Sequence, residues 1–217
     1  ARQLPGELVT ALNALARKES ATPFMLHLAS FSALLFRLSH QKDFLVGIPV
    51  TGRDQMETEP LIGFFSNTLP LRFQPDACLP FREFLRQTRD TVLRSYEHQD
   101  APFEKVVEQL AVERRAGQTP LVQVLFTVQN ELDENINLRG LETSLQPLHT
   151  GTTKFDLTCT VTTSRRRWTV ELEYNADLFE PATIERWLEH FETLLAGIAA
   201  NPGCSLNRLP LLKQTEV

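Results

Sequence analysis

Two short segments near the end of the chain constrain the fold most. Leu157, Cys159 and Val161 alternate with threonines, and Trp168, Val170, Leu172 and Tyr174 then alternate with Thr169, Glu171 and Glu173. Period-two alternation predicts half-buried strands, here over 157–163 and 168–174, with Ser164 to Arg167 as the turn between them. Only one face of this hairpin is apolar. A lone two-stranded hairpin is marginal in water, so the pair has to lie on something. Helices supply the covering layer. From Phe24 to Leu38 the chain is almost continuously apolar, through Leu28, Phe31, Leu34 and Leu35. The run is broken by His27 and Arg37 and is too short for a bilayer, so it reads as a helix buried on more than one side. The expected class is mixed α/β, one sheet with packed helices.

The remaining pattern fills in that plan. Leu8, Leu12 and Leu15 have helical spacing between Pro5 and Glu19. Thr22-Pro23 then forms an N-cap with proline at the first helical position, opening a helix that runs to about Ser39. Phe44 to Val50 reads as a buried strand. Leu79-Pro80 starts a long helix with Phe81, Phe84, Leu85, Val92 and Tyr96 on one face. It fails at His98-Gln99-Asp100, and Pro102 restarts a shorter helix through Phe103, Val106, Val107 and Leu110. Val122, Val124, Phe126 and Val128 form another alternating strand, and Leu138 to Leu148 reads as weakly extended. The last helix, Pro181 to Ala200, carries Ile184, Trp187, Leu188, Phe191, Leu194, Leu195 and Ile198 on one stripe.

Charge and cysteine usage exclude several classes of function. A formal net charge of −5 over 217 residues leaves no broad basic face for nucleic acid. Arg114-Arg115 and Arg165-Arg166-Arg167 are short and read as solvated turns. The three cysteines, Cys78, Cys159 and Cys204, are widely spaced and suggest neither a disulfide framework nor a metal site. They fit a reducing compartment, and a cytoplasmic location is expected. No signal peptide, internal repeat or membrane span is read. The chain opens on Ala1 rather than Met, consistent with a piece of a longer protein or a processed chain.

The segment Ile62-Gly63-Phe64-Phe65-Ser66-Asn67-Thr68-Leu69-Pro70-Leu71-Arg72 places an amide and a guanidinium in apolar surroundings. Asn67 and Arg72 are five residues apart, so on a strand they point to opposite faces. Arg72 is then either solvated on an edge strand or buried and in need of a partner. His98 with Asp100 supplies two metal or acid–base groups and no third, which makes a poor site. Ser66 lacks the G-x-S-x-G spacing of a nucleophile elbow, and no glycine loop is placed to cradle phosphate.

Two later stretches give the opening segment a context: Tyr96-Glu97-His98-Gln99-Asp100-Ala101-Pro102-Phe103-Glu104-Lys105 and Thr119-Pro120-Leu121-Val122-Gln123-Val124-Leu125-Phe126. In this order and spacing, the three stretches resemble the fourth, fifth and sixth motifs of condensation domains from nonribosomal peptide synthetases. Val46 to Arg53, Lys154 to Leu157 and Tyr174 to Phe179 are similar to smaller family matches. The resemblance covers residues 1–217 and implies the C-terminal lobe of a domain built from two chloramphenicol-acetyltransferase-like lobes. The family's HHxxxDG motif belongs to the other lobe. No two of His27, His40, His98, His149 and His190 are adjacent.

The resemblance implies an acyltransferase-type enzyme part. Condensation domains join a donor acyl or peptidyl thioester to the amine of an acceptor aminoacyl thioester, and this lobe, on the acceptor side, would be inactive alone. No cofactor would be bound directly, because the substrates ride on phosphopantetheine arms of carrier proteins. The implied partners are the N-terminal lobe of the same domain, peptidyl and aminoacyl carrier proteins and an adjacent adenylation domain, with no nucleic acid or membrane. Gly52, Arg53, Gly63, Phe64, Phe65 and Asn67 would belong to the tunnel floor. Arg72 would pair across the lobe junction with the aspartate of HHxxxDG; without that aspartate it is expected to be poorly buried or paired with a local carboxylate. His98, Gln99, Asp100, Pro102 and Phe103 match the fifth motif, chiefly as a capped helix break, and Pro120, Gln123 and Phe126 match the sixth. The 157–174 hairpin would be a protruding latch, leaving an exposed apolar patch near it and near the floor. Alternatives are a non-catalytic lobe that docks carrier proteins or neighbouring domains, and a related coenzyme A-dependent acyltransferase.

Overall fold

The computed structural model describes residues 1–53, 56–112, 117, 119–130, 141, 151–163 and 167–212. A short strand β1 (Arg2–Leu4) precedes α1 (Gly6–Lys18) and α2 (Pro23–Ser39). Then come β2 (Phe44–Val50), β3 (Asn67–Phe73), α3 (Phe81–Tyr96), α4 (Phe103–Gln109), β4 (Val124–Asn130), β5 (Leu157–Thr163), β6 (Trp168–Tyr174) and α5 (Pro181–Ala200). The sheet has six strands in the order β1-β6-β5-β4-β2-β3. β4 runs parallel to both β5 and β2, and the other neighbours are antiparallel.

The 157–174 hairpin is not a protruding latch. β5 pairs along its whole length with β4, and β6 is bordered by β1. Its apolar face meets the helices: Leu157, Cys159, Val161, Trp168, Val170 and Leu172 join one continuous core with residues of α1, α2, α3 and α5. The partner that a one-sided hairpin requires is thus the rest of its own sheet and the helical layer. β1 escaped expectation because three residues are too few to show a period.

The helix α2 forms where the sequence asks for it. The Thr22 hydroxyl accepts the Met25 N–H at 3.2 Å, and Pro23 occupies the first turn without losing a bond the helix could use. Eleven of its residues are buried, including His27, which has no hydrogen-bond partner on either ring nitrogen. The imidazole instead meets the Trp168 ring edge-on at 4.6 Å, and burial lowers its pKa to about 3. Arg37, at the far end of α2, donates to the carbonyls of Leu206 and Leu209 and ties the C-terminal tail to the core. Glu19 is buried after α1, where Arg86 of α3 neutralises it at 2.9 Å.

Opposite the helices, the sheet presents a polar face. Thr127, Thr160 and Glu171 form one cross-strand row there, and Gln129, Thr162 and Thr169 form the next. This follows from alternation, since β5 and β6 turn every apolar side chain toward the helices. Among the described residues no single helix is long and apolar enough to cross a membrane. The stretch 138–148 lies outside the described residues apart from Leu141, as do Arg114, Arg115, Arg165 and Arg166.

Candidate functional site

The motif residues gather around β3, an edge strand of the sheet. Leu69, Leu71 and Phe73 face the core, and Phe73 packs on Phe84 of α3 with ring centroids 6.1 Å apart. Asn67 and Arg72 fall on opposite faces, as their spacing requires. Both find partners, in different ways.

Arg72 is exposed and forms a two-pronged ion pair with Asp43, Nε to Oδ1 at 2.8 Å and Nη2 to Oδ2 at 2.6 Å. The hydrogen bond and the guanidinium charge hold the Asp43 carboxyl below the usual carboxylate range, and Asp43 raises the Arg72 pKa in turn. Asp43 was not singled out from the sequence. The signal was present in the pairing register: Leu45 lies opposite Arg72, so Asp43, two residues earlier, is its diagonal neighbour on the same face. Arg72 borders two cavities, of about 710 and 730 Å³. The first lies between β3, α3 and α4 and is lined by Asp90, Thr91, Arg94, Ser95 and His98. The second is more apolar, with Phe44, Leu45, Leu110 and Leu121 in its wall and Gln123 beside them.

Asn67 joins β3 to the break between α3 and α4. Its Nδ2 donates to the carbonyls of Gln99 and Ala101, both at 2.8 Å. Its Oδ1 accepts from the N–H of Thr68 at 2.9 Å and of Phe103 at 3.0 Å. The α4 helix starts after Pro102 with no side-chain cap of its own, so Asn67 caps it from another element. Gln99, Ala101 and Phe103 of the fifth motif are therefore brought against the fourth through backbone atoms, and Pro102 serves as the residue before α4. His98 and Asp100 are exposed at the same turn, and the described residues include no group of three or more His, Cys, Asp or Glu able to hold a metal.

The sixth-motif residues separate. Phe126 is fully buried, packed between Phe24 and Phe31 at 5.7 and 5.8 Å. It is a core residue, because alternation along β4 turns it toward α2. Pro120 and Gln123 lie instead at a tight turn in which the Val122 N–H reaches Pro120 O at 2.8 Å and Leu121 has φ of 69°. That conformation is costly for leucine. The turn crosses β2 so closely that a Cβ on Gly47 would stand 2.7 Å from Val122 Cγ1. Gln123 Nε2 donates to Thr119 O at 3.1 Å, and the Gln123 backbone carbonyl accepts from the N–H groups of Asp156 and Leu157.

Between β2 and β3, in the 52–66 loop, the described residues 52–53 and 56–66 have an inverted arrangement of side chains. Met56, Leu61, Ile62 and Phe64 are exposed, Phe64 at 92% and Met56 at 85%. Gly52 has φ of 62°, and a Cβ there would stand 2.1 Å from the Phe65 carbonyl oxygen, so only glycine closes the base of the loop. Gly63 passes within 3.0 Å of the Phe65 ring, measured from where its Cβ would be. The expected exposed apolar patch is on this loop. It does not extend to the hairpin, whose apolar face is buried.

A family model described as "Condensation domain" matches residues 1–217. The chain is 46% identical over 217 residues to one of the linear gramicidin synthase proteins of Brevibacillus parabrevis, covering 99% of this chain and 4% of that protein. It is 41% identical over 220 residues to phosphinothricin tripeptide synthetase PhsC of Streptomyces viridochromogenes, covering 99% of this chain and 20% of that protein. The chain thus spans a small part of the length of these relatives. Among solved structures, the complex of the X-domain and OxyB from teicoplanin biosynthesis contains a chain that is similar with a TM-score of 0.89 and 26% identity. That match spans 98% of this chain and 47% of the other.

Proposed function

Because the chain belongs to the condensation-domain family of nonribosomal peptide synthetases, we propose that it is the C-terminal, acceptor-side lobe of such a domain. Its mixed sheet and helices form the chloramphenicol-acetyltransferase-like fold of that family. With an N-terminal lobe bearing HHxxxDG, the chain takes part in forming an amide bond between carrier-bound thioesters. The acceptor amine attacks the donor thioester carbon, the C–N bond forms, the C–S bond breaks, and the thiol leaves with a proton. A neutral amine attacking a thioester needs placement and charge stabilisation more than a strong base. This lobe contributes placement: the 52–66 loop floors the tunnel, and the motif residues around β3 form its wall. The phosphopantetheine arms belong to the carrier proteins, and no arm is resident on this chain.

The observation that carries this reading is the match of nearly the whole chain to 47% of a chain in the X-domain and OxyB complex, taken with the condensation-domain family match and a sequence with no HHxxxDG motif. Arg72 supports it. Its guanidinium is exposed and paired with Asp43, which is exposed too, so it is free to exchange that carboxylate for the aspartate of HHxxxDG when the lobes meet. A second reading, a docking lobe without chemistry, is favoured by the similarity to an X-domain solved in complex with another protein.

Reconstitution with an HHxxxDG-bearing lobe and aminoacyl carrier proteins separates the two. Dipeptidyl thioester should form with the wild-type chain and fall about 100-fold with Arg72→Ala, the scale of a lost positioning contact. The Arg72→Ala thermal midpoint should stay where it is, since the pair is solvated. Lobe association without product would favour the docking reading.

A further inference from the structure

Arg53 stands at the root of the 52–66 loop, and its guanidinium is a common donor to the loop's backbone. Nη1 is shared among the carbonyls of Thr58, Glu59 at 3.3 Å and Leu61 at 2.8 Å. Nη2 reaches Gly63 O at 3.4 Å. The guanidinium carbon lies 4.4 Å from the centroid of the Phe65 ring, within the range of a cation–π contact. These acceptors lie five to ten residues beyond Arg53, so one side chain folds the loop onto itself. Gly52, beside Arg53, completes the closure, because its missing Cβ lets Phe65 O approach from the other end of the loop.

This arrangement explains why large apolar side chains stand in solvent. The carbonyls converge on the cation, and Met56, Leu61, Ile62 and Phe64 are left on the outside as an exposed ridge. A flexible loop of that composition would bury some of this surface by collapsing on itself. Arg53 prevents the collapse by giving the backbone a better internal partner. A lysine could not do the same: its ammonium is a point donor on a flexible stem, without the planar fork or the face that stacks on Phe65.

We propose that Arg53 is the positioning residue of this loop, holding its apolar ridge in one shape for the part of the condensation domain that lies outside this chain. The proposal rests on the reading that the loop floors the tunnel between two lobes. Arg53 touches no reacting atom and acts only through the loop.

Amide exchange at Glu59 and Leu61 tests the clamp directly, because their N–H groups are bonded to Met56 O and Thr58 O within the loop, each at 3.3 Å. In Arg53→Lys these amides should exchange at least about tenfold faster than in the wild type, with the thermal midpoint unchanged and Phe65→Leu intermediate. Equal exchange in the wild type and Arg53→Lys overturns the clamp. In the reconstituted domain, Arg53→Lys should raise the KM for aminoacyl carrier protein about tenfold with kcat within about twofold. A fall in kcat alone would mean lost active protein and would overturn the positioning role. If the wild-type lobes form no amide, the proposed function falls, while the exchange result still decides the clamp.

Discussion

Phe31 and Phe126 stack with centroids 5.8 Å apart beneath α2, while Phe64, Ile62 and Met56 stand in solvent on the 52–66 loop. The core is held by apolar contact and needs nothing from outside. The loop is held by hydrogen bonds from one guanidinium to backbone carbonyls and by the Phe65 ring that the guanidinium faces, while its exposed Met56, Leu61, Ile62 and Phe64 side chains gain no burial from it. Between these regions, Asn67 and Arg72 belong to a strand whose other face is core, and both are satisfied by polar partners. The difference teaches that this chain spends burial on folding and polar contacts on shaping the surface that carries its motifs.

The comparison breaks most easily at Phe126. Phe126→Ala should cost about 3–5 kcal/mol in denaturant unfolding. A loss under about 1 kcal/mol would mean that β4 is not core and that the motif phenylalanine belongs with the site.

His27 sharpens it next. Its folded pKa of about 3 lies below the ordinary imidazole value of 6.5, so the unfolded chain binds the extra proton in the window between them. Stability is therefore complete above about pH 6.5 and is lost as pH falls, by roughly 2 kcal/mol between pH 7 and pH 5. His27→Leu should flatten that slope in urea titrations at the two pH values. An unchanged slope would show that another group sets the acid limb.

The smallest of these effects should come from Asn67. Asn67→Ala removes the external cap of α4 and leaves backbone groups unpaired, at a cost of about 1–2 kcal/mol. Amide exchange should rise in α4 and stay unchanged in α2 and β5. Exchange rising equally throughout would show that core and motif surface unfold as one unit.

Much of the fold was legible in the chain itself. Alternation placed β5 and β6, Thr22-Pro23 marked the start of α2, and Pro102 marked the restart at α4, because these are signals of local geometry. The site was legible as motifs and not as contacts. Asn67 and Arg72 were visible as polar residues in an apolar segment, yet their partners, the backbone of residues 99–103 and Asp43, lie about thirty residues away in sequence. Phe126 shows the same limit: a motif identifies a residue, and only the facing layer tells whether it is core.

By itself, the sequence determined the family, the α/β class and which face of each long strand would be apolar, since periodicity and motif spacing are written along the chain. Tertiary structure alone decided that the hairpin lies inside the sheet, that β1 closes its edge, that Arg72 holds Asp43 and that Arg53 gathers a loop around itself. Each of these depends on strand order, register or loop closure, and such pairings are set by what the whole chain must bury and satisfy together.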